Sequence, residues 1–466
     1  MTRAFGDDQL ELELRAVLHE RAEEMASRAH TTAEMTAEIT RHIRSAGVRA
    51  AREEAILRLA TIALVLLALL LAAIGFGARP SRPALNLMLA VDLPLQGEPG
   101  APPIVDAIRL ALHGAAGRDG VSIDLPQDGV YNDSVDGKPD AQQGADNMRR
   151  IAADPRYVAV IGPFHSFVAE TEIPIANAAG ILECSPSNTA PGLTVGVEAT
   201  SIRPRLDRPS YVRVATTDDA AAAAAAHLLI GALGKRSVFV VSTVSPWAGG
   251  RWKTFVTAFE GLGGTLAGRG AIGDGGDEPR IVAEQIRANG ADSVFFDGPA
   301  ADGARVLAAL STRSADLPFV GLDTILDGPR SAQGSFLATA GANVENAFGV
   351  FPAGTDPEVG LQVETAYEAA YGHGPENYIL SGHACVRVIL DAIERIDASS
   401  VAEPADWREA IRAEVTAPGR RYQTAIGTIG FDANGDAVPQ RVSIYRGDAT
   451  AGDWKFWQMF ELPPGR

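Results

Sequence analysis

From residue 84 onward, short apolar runs alternate with amphipathic stretches, and this alternation limits the available folds more than any other feature of the chain. Residues 85–91, 158–161, 237–241, 293–297 and 319–322 read as strands, being short and rich in β-branched or aromatic side chains. Between them, residues 104–115, 144–153, 220–233, 252–261 and 281–288 carry apolar positions at helical spacing. This order predicts a parallel sheet with helices on both faces, in which ligands bind beyond the carboxyl ends of the strands. The 383 residues from 84 to the end exceed one compact α/β core, so two lobes are expected. The alanine run 220–226 follows Asp218 and Asp219, good N-cap residues, and therefore reads as a helix start rather than low complexity. Residues 428–446, with DANGD between IGTIGF and VSIYR, predict a hairpin.

Charge narrows the partners. The formal net charge is −17, and residues 1–58, with nine Arg against eleven Asp and Glu, account for −2 of it. The remaining −15 sits on residues 59–466, a surface that repels phosphate backbones, so no nucleic-acid partner is expected. No GxSxG, HExxH or SxxK motif occurs, and the chain reads as a non-enzyme with no cofactor. No metal is expected either. His165 and His383 lack partners at ligand spacing, and DANGD lacks the following Gly and the distal Glu of a calcium loop. GDGGDEP, residues 273–279, has no Gly-Lys-Ser/Thr and reads as an exposed loop.

Residues 59–78 are twenty residues without a charge, roughly 30 Å as a helix, which is the hydrocarbon thickness of a bilayer. Arg41, Arg44, Arg49, Arg52 and Arg58 precede them, so the positive-inside rule leaves residues 1–58 in the cytoplasm. The expectation is a single-pass cell-membrane protein with an uncleaved anchor, because a signal peptide has a shorter leader and a shorter apolar core. Residues 8–58 read as helix, serving either as a charged stalk or as a docking element for a cytoplasmic regulator.

The segment VAVIGPFHSFVAETEIPIANAAGILECSPSNTAPGLT, residues 158–194, resembles the type I periplasmic binding proteins, specifically their branched-chain amino-acid (Leu/Ile/Val-binding) group. A strand, a Gly turn bearing Ser, a helix, and a short strand opening into a Ser-Pro-x-x-Thr-x-Pro-x-Leu-Thr loop are all present. DSVDGKPDAQQGADNMRRI, FVVSTVSPWAGGRWKTF and GFDANGD fit the same family, and the resemblance covers residues 84–457. It implies an α/β fold of two doubly wound parallel-sheet lobes with hinge crossovers. The expected order is a cytoplasmic helical leader (1–58), a transmembrane helix (59–78), a linker (79–83) and a bilobal domain (84–466). Lobe 1 would take about 84–214 and 354–440, and lobe 2 about 215–353 and 441–466.

The resemblance also implies a ligand site. Ser166 falls where the family's Ser hydroxyl meets the ligand carboxylate, Ser187 where a main-chain group binds ligand, Thr189 where a Thr hydroxyl and amide do, Trp247 where an aromatic from the second lobe covers the ligand, and Asp323 where an acid holds the ammonium. The chemistry is coherent, since hydroxyls and free N–H groups satisfy a carboxylate and a carboxylate in a closing cleft selects an amine. Locally, Ser166 also suits a helix cap, and Thr189 a turn. Two departures stand out: no aromatic occurs between Leu93 and Ala101, and Pro299 and Ala300 occupy a position where the family often has one. Phe164 and Trp247 are then the candidates for apolar cover. Cys184 and Cys385 lie on elements that the family assigns to one lobe, so a bridge is conceivable, although buried free thiols are the commoner fate. Function reads as capture of an amino acid, or a similar small amine-bearing acid, for an ABC-type permease. The alternatives are a receptor signalling through the membrane helix and a scaffold that binds no solute.

Overall fold

A computed structural model describes residues 85–98, 100–113, 121–243, 250–273, 277–310, 317–328, 333–374, 378–401 and 403–462, together with 19, 21, 23 and 34–37. The chain divides into two compact units, Met1–Arg82 and Pro83–Arg466. In the first unit the described residues are helical. Residues 59–78, read from sequence as a membrane span, lie outside the described residues. Among the described residues no helix is long and apolar enough to cross a membrane. Even Ile379–Arg395, with 17 residues, is only about 26 Å long and carries Arg387, Asp391, Glu394 and Arg395. The expectation of a single-pass membrane location is corrected accordingly.

The second unit holds two sheets. The first is built from β1 (Leu85–Leu93), β2 (Val121–Asp124), β3 (Val130–Asn132), β6 (Tyr157–Ile161), β7 (Leu182–Ser185) and β8 (Tyr211–Arg213), with β4 (Ser134–Val135) and β5 (Lys138–Pro139) forming a separate small hairpin. Its strands run parallel in the order β2-β1-β6-β7-β8, with β3 also beside β1. The second contains β9 (Ser237–Thr243), β10 (Thr265–Ile272), β11 (Ser293–Asp297), β12 (Phe319–Leu322) and β13 (Ala347–Phe351). They are parallel in the order β10-β9-β11-β12-β13. Each lobe thus has the doubly wound order whose reversal opens a crevice at the strand ends.

Both faces of both sheets are covered, which explains the nearly continuous apolar runs. On β1, Leu87, Leu89, Val91 and Leu93 pack toward Ile104 and Ile108, while Met88 and Ala90 pack toward Met148 and Ile151. On β9, Val238 and Val240 meet Phe255 and Phe259, and Phe239 and Val241 meet Val282 and Ile286. The alanine run lies in the helix Asp218–His227, with Ala221, Ala222, Ala224, Ala225 and Ala226 all buried. Its N-cap is Thr217, whose Oγ1 accepts from Ala220 N, and not Asp218 or Asp219.

The expected 428–446 hairpin does not form as a unit. β15 (Gly427–Phe431) pairs with β14 (Tyr422–Thr424) and β16 (Ala437–Val438), whereas β17 (Arg441–Asp448) pairs with β13 and with β18 (Asp453–Glu461). Pro439 lacks an N–H and ends the first ladder, and the chain then crosses to the other sheet. The DANGD segment is nevertheless a tight turn, with Asp432 Oδ1 accepting from Asn434 N and Asp436 N. Gly435 has φ +93°, and a Cβ there would stand 2.2 Å from the Tyr211 carbonyl.

The three crossovers between lobes touch one another. Thr216 N donates to Pro352 O (2.6 Å), and Thr216 Oγ1 to Arg441 O (2.7 Å). Within lobe 1, Cys184 on β7 and Cys385 on the helix Ile379–Arg395 form a disulfide with Cα atoms 5.9 Å apart, in place of the two buried thiols favoured from sequence. Both half-cystines are fully buried, so the bridge ties a helix directly onto its own sheet.

His383, on the same helix, is held neutral. Burial and then the nearby Arg387 guanidinium depress its pKa to about 4. Since the unfolded ring titrates near 6.5, the unfolded chain takes up the proton first as pH falls. Stability is full above about pH 6.5 and is lost toward pH 4, by at most about 3 kcal/mol. Urea unfolding at pH 7 and pH 4.5 should show a larger loss for wild type than for His383→Gln.

Candidate ligand cleft

Two loops at the carboxyl ends of β6 and β7 build one wall. After β6 the chain turns at Gly162, with φ +141°, where a Cβ would stand 2.1 Å from the Asp92 carbonyl. Ser166 then opens the helix Ser166–Ala179, and its Oγ accepts from Ala190 N (3.3 Å). Ser185 Oγ, at the end of β7, donates to Pro163 O (3.0 Å) and accepts from Asn188 N (3.0 Å). Ser187 Oγ donates to Phe164 O (2.9 Å), and Asn188 Nδ2 donates to the same carbonyl. The two loops are therefore stitched to each other, not merely adjacent.

Arg213 clamps this wall from below. Its fully buried guanidinium donates to Ala190 O (2.6 Å), Thr194 Oγ1 (2.5 Å) and Asp436 Oδ1 (2.6 Å), joining the Thr189 loop to the DANGD turn.

The opposite wall belongs to lobe 2 and is acidic. Asp218 begins the alanine-rich helix, Asp297 ends β11, Asp323 follows β12, and Arg251 opens the helix Arg251–Gly261 after β9. Arg251 bonds Asp297 (Nε to Oδ1, 2.9 Å) and approaches Asp218 Oδ1 at 3.5 Å, and Trp252 N donates to the other Asp297 oxygen. Burial pushes Asp218 above the usual carboxylate range, with Arg251 pulling it back. Burial would lower the Arg251 pKa, but Asp218, Asp297 and Asp323 outweigh it and hold the guanidinium firmly charged. Three carboxylates around one guanidinium leave this wall with an excess of negative charge.

The walls meet at two points. Asp218 N donates to Thr189 O (2.8 Å). Tyr378, just before the lobe-1 helix Ile379–Arg395, donates its OH to Asp323 Oδ2 (2.6 Å). Ser166, Ser187, Thr189 and Asp323 are thus brought together where the two lobes meet, whereas Trp247 lies outside the described residues. The aromatic side chains beside Asp323 are instead those of Tyr378 and its neighbours: the buried Tyr378 ring lies 5.6 Å from the partly buried Phe164 and 4.7 Å from the buried Phe351. Sequence reasoning missed Arg251, Asp297 and Tyr378 and read Asp218 only as a cap. One signal was available: Arg251 sits at a helix N-terminus, where a cation opposes the helix dipole unless acids surround it.

The family profile described as periplasmic binding protein matches residues 97–453. The chain belongs to that family. Its Leu/Ile/Val-binding branch is represented by BraC3 of Rhizobium johnstonii, a Leu/Ile/Val-binding protein 24% identical over 321 residues. That alignment spans 69% of this chain and 81% of the relative. Among solved structures, the branched-chain amino acid transporter substrate-binding protein LivJ of Streptococcus pneumoniae, in complex with isoleucine, matches with TM-score 0.63 at 17% identity. The match covers 81% of this chain and 100% of that one. A Rhodopseudomonas palustris solute-binding protein in complex with benzoate matches with TM-score 0.60 at 16% identity, covering 80% and 96%. At these identities the structural matches establish the two-lobed fold alone.

Proposed function

We propose that this periplasmic binding protein captures an α-amino acid, or a similar small amine-bearing acid, between its lobes and supplies it to an ABC-type uptake system. The observation that carries this reading is the pairing of opposite wall chemistries: hydroxyls and strand-end amides on lobe 1 face an acidic excess on lobe 2. Ser166, Ser187 and Thr189 receive the carboxylate, and Asp323, helped by Asp218, receives the ammonium. Phe164, Phe351 and Tyr378 cover an apolar side chain, which puts branched-chain amino acids first among candidates. The cross-lobe bond from Tyr378 to Asp323 uses the carboxylate assigned to the ligand ammonium, so ligand exchanges its own bond for it, and the backbone bond from Asp218 to Thr189 ties the two walls beside it, which joins closure to binding. The Cys184–Cys385 disulfide suits the oxidising conditions of an extracytoplasmic domain, as do the family names.

Calorimetric titration of the full-length chain with a panel of amino acids, short amines and aromatic acids tests the reading. One amino acid should bind saturably, and Thr189→Ala and Asp323→Ala should each weaken it about 10- to 100-fold, the worth of a hydrogen bond to a charged group. Flat titrations across the panel, with the protein folded by circular dichroism, would overturn amino-acid capture. Binding of benzoate-like acids that ignores Asp323→Ala would replace the ammonium assignment.

A further inference from the structure

Beneath the Ser166 loop, lobe 1 encloses a group of acids that the ligand cleft does not use. Asp92 lies near the end of β1, Asp133 directly after β3, and Glu172 on the helix that Ser166 opens. All three are fully buried, and one carboxylate oxygen from each lies within 4.8 Å of the others. Roughly forty residues separate each from the next, so no spacing motif announces them.

The state of the oxygens is a second observation. Among the described residues no N–H or hydroxyl donor reaches Asp92 Oδ2, either oxygen of Asp133, or either oxygen of Glu172. Native proteins rarely leave one buried carboxylate oxygen without a donor, and here three neighbouring acids have five. Asp133 is the sharpest case, since both its oxygens are sealed from solvent without a donor and one of them lies within 4.8 Å of the other two acids. A fourth acid is close by. Glu183 on β7, also fully buried and without a donor at either oxygen, interacts with Asp92, and burial first and then Asp92 push its carboxyl well above the usual range. Arg203 acts on Glu183, and the His165 ring, 25% exposed, lies 3.6 Å from Glu98 and also acts on Asp133.

The cage itself is built. Asn147 Nδ2 holds Asp92 Oδ1 at 3.0 Å and the Asn132 carbonyl at 3.0 Å, fixing β1 against the strand that presents Asp133. Gly144 forms the wall beside Glu172, because a Cβ there would stand 2.6 Å from Glu172 Oε1. From these observations we propose that Asp92, Asp133 and Glu172 bind one hard divalent cation, for which calcium is the probe. The donor set is all oxygen, which selects hard cations over zinc or copper. The three oxygens lie within 4.8 Å of one another, close enough for a single cation to touch all three. A dication turns the mutual repulsion of three carboxylates into ligation and pins the Ser166 helix to β1.

The test is uptake by the full-length chain after chelation with EDTA and dialysis. Calcium titration should give one equivalent bound, and saturating calcium should raise the melting temperature by about 3 °C or more. Glu172→Gln and Asp133→Asn should each weaken calcium binding at least about tenfold. Amino-acid titration of the same samples reports separately on the cleft. No bound calcium, manganese or magnesium, with a melting temperature indifferent to EDTA, would overturn the site. A melting temperature that rises on acidification and ignores every cation would overturn it in favour of protons shared between the acids. Undiminished calcium binding in both variants would place the ion elsewhere and overturn the assignment. If either variant fails to fold, the wild-type stoichiometry and the other variant still decide.

Discussion

Replacing Arg213 by methionine is expected to destabilise the chain by about 3–5 kcal/mol, because it strands a buried carboxylate. Asp436 is only 4% exposed and takes its ion pair from Arg213 Nε at 2.6 Å. The same guanidinium satisfies Ala190 O and Thr194 Oγ1, so the substitution also removes donors from the loop carrying Ser187 and Thr189. Lysine brings the charge but cannot reproduce three divergent N–H directions, and Arg213→Lys should fall between wild type and Arg213→Met. The pair Arg213→Met with Asp436→Leu removes both charges and should recover most of the stability. It leaves the loop without its clamp, so amino-acid affinity should stay low while the denaturation midpoint returns. Guanidinium unfolding of the four proteins measures this, and a single variant within about 1 kcal/mol of wild type would contradict it.

The second large effect is loss of the Cys184–Cys385 bridge. The two half-cystines are separated by 201 residues, and closing so long a loop restricts the unfolded chain severely. Loop entropy alone sets a ceiling of about 5 kcal/mol, and measured bridges usually deliver about 2–4. The Cys184→Ala/Cys385→Ala double variant should therefore unfold at clearly lower denaturant than the oxidised wild type, and wild type in excess thiol should approach it. An unchanged midpoint in the double variant would mean that the packing of the helix Ile379–Arg395 against β7 already supplies the whole constraint.

What the sequence revealed, and what it hid, follows from the range of the interactions. Residues 293–297 and 319–322 were legible as strands because each is a short apolar run ended by an Asp. Helices start earlier than their apolar pattern suggests, at Ala101 rather than 104 and at Pro279 rather than 281, because first turns are set by caps and proline rather than by apolar spacing. The hairpin reading failed at Pro439, where strand pairing passes to β13, far away in sequence. In the cleft, Ser166, Ser187 and Thr189 were readable because they share one contiguous segment. Arg251, Asp297 and Tyr378 come from three distant stretches, and only the strand order brings them together. The apolar run 59–78 had a strong local signal, but no described helix matches it, and the localisation read from it does not stand.

The interlaced path through the two lobes carries a consequence for synthesis. Strands β9 to β13 form a contiguous stretch, so most of the second sheet can assemble as soon as it emerges from the ribosome. The first sheet emerges earlier but must wait for the helix Ile379–Arg395, which covers one of its faces. At about 5–20 residues per second, Cys184 is made some 10–40 s before its partner exists. During that interval the first-made half of the protein is the unfinished one, with an apolar face and a reactive thiol open to whatever holds nascent chains.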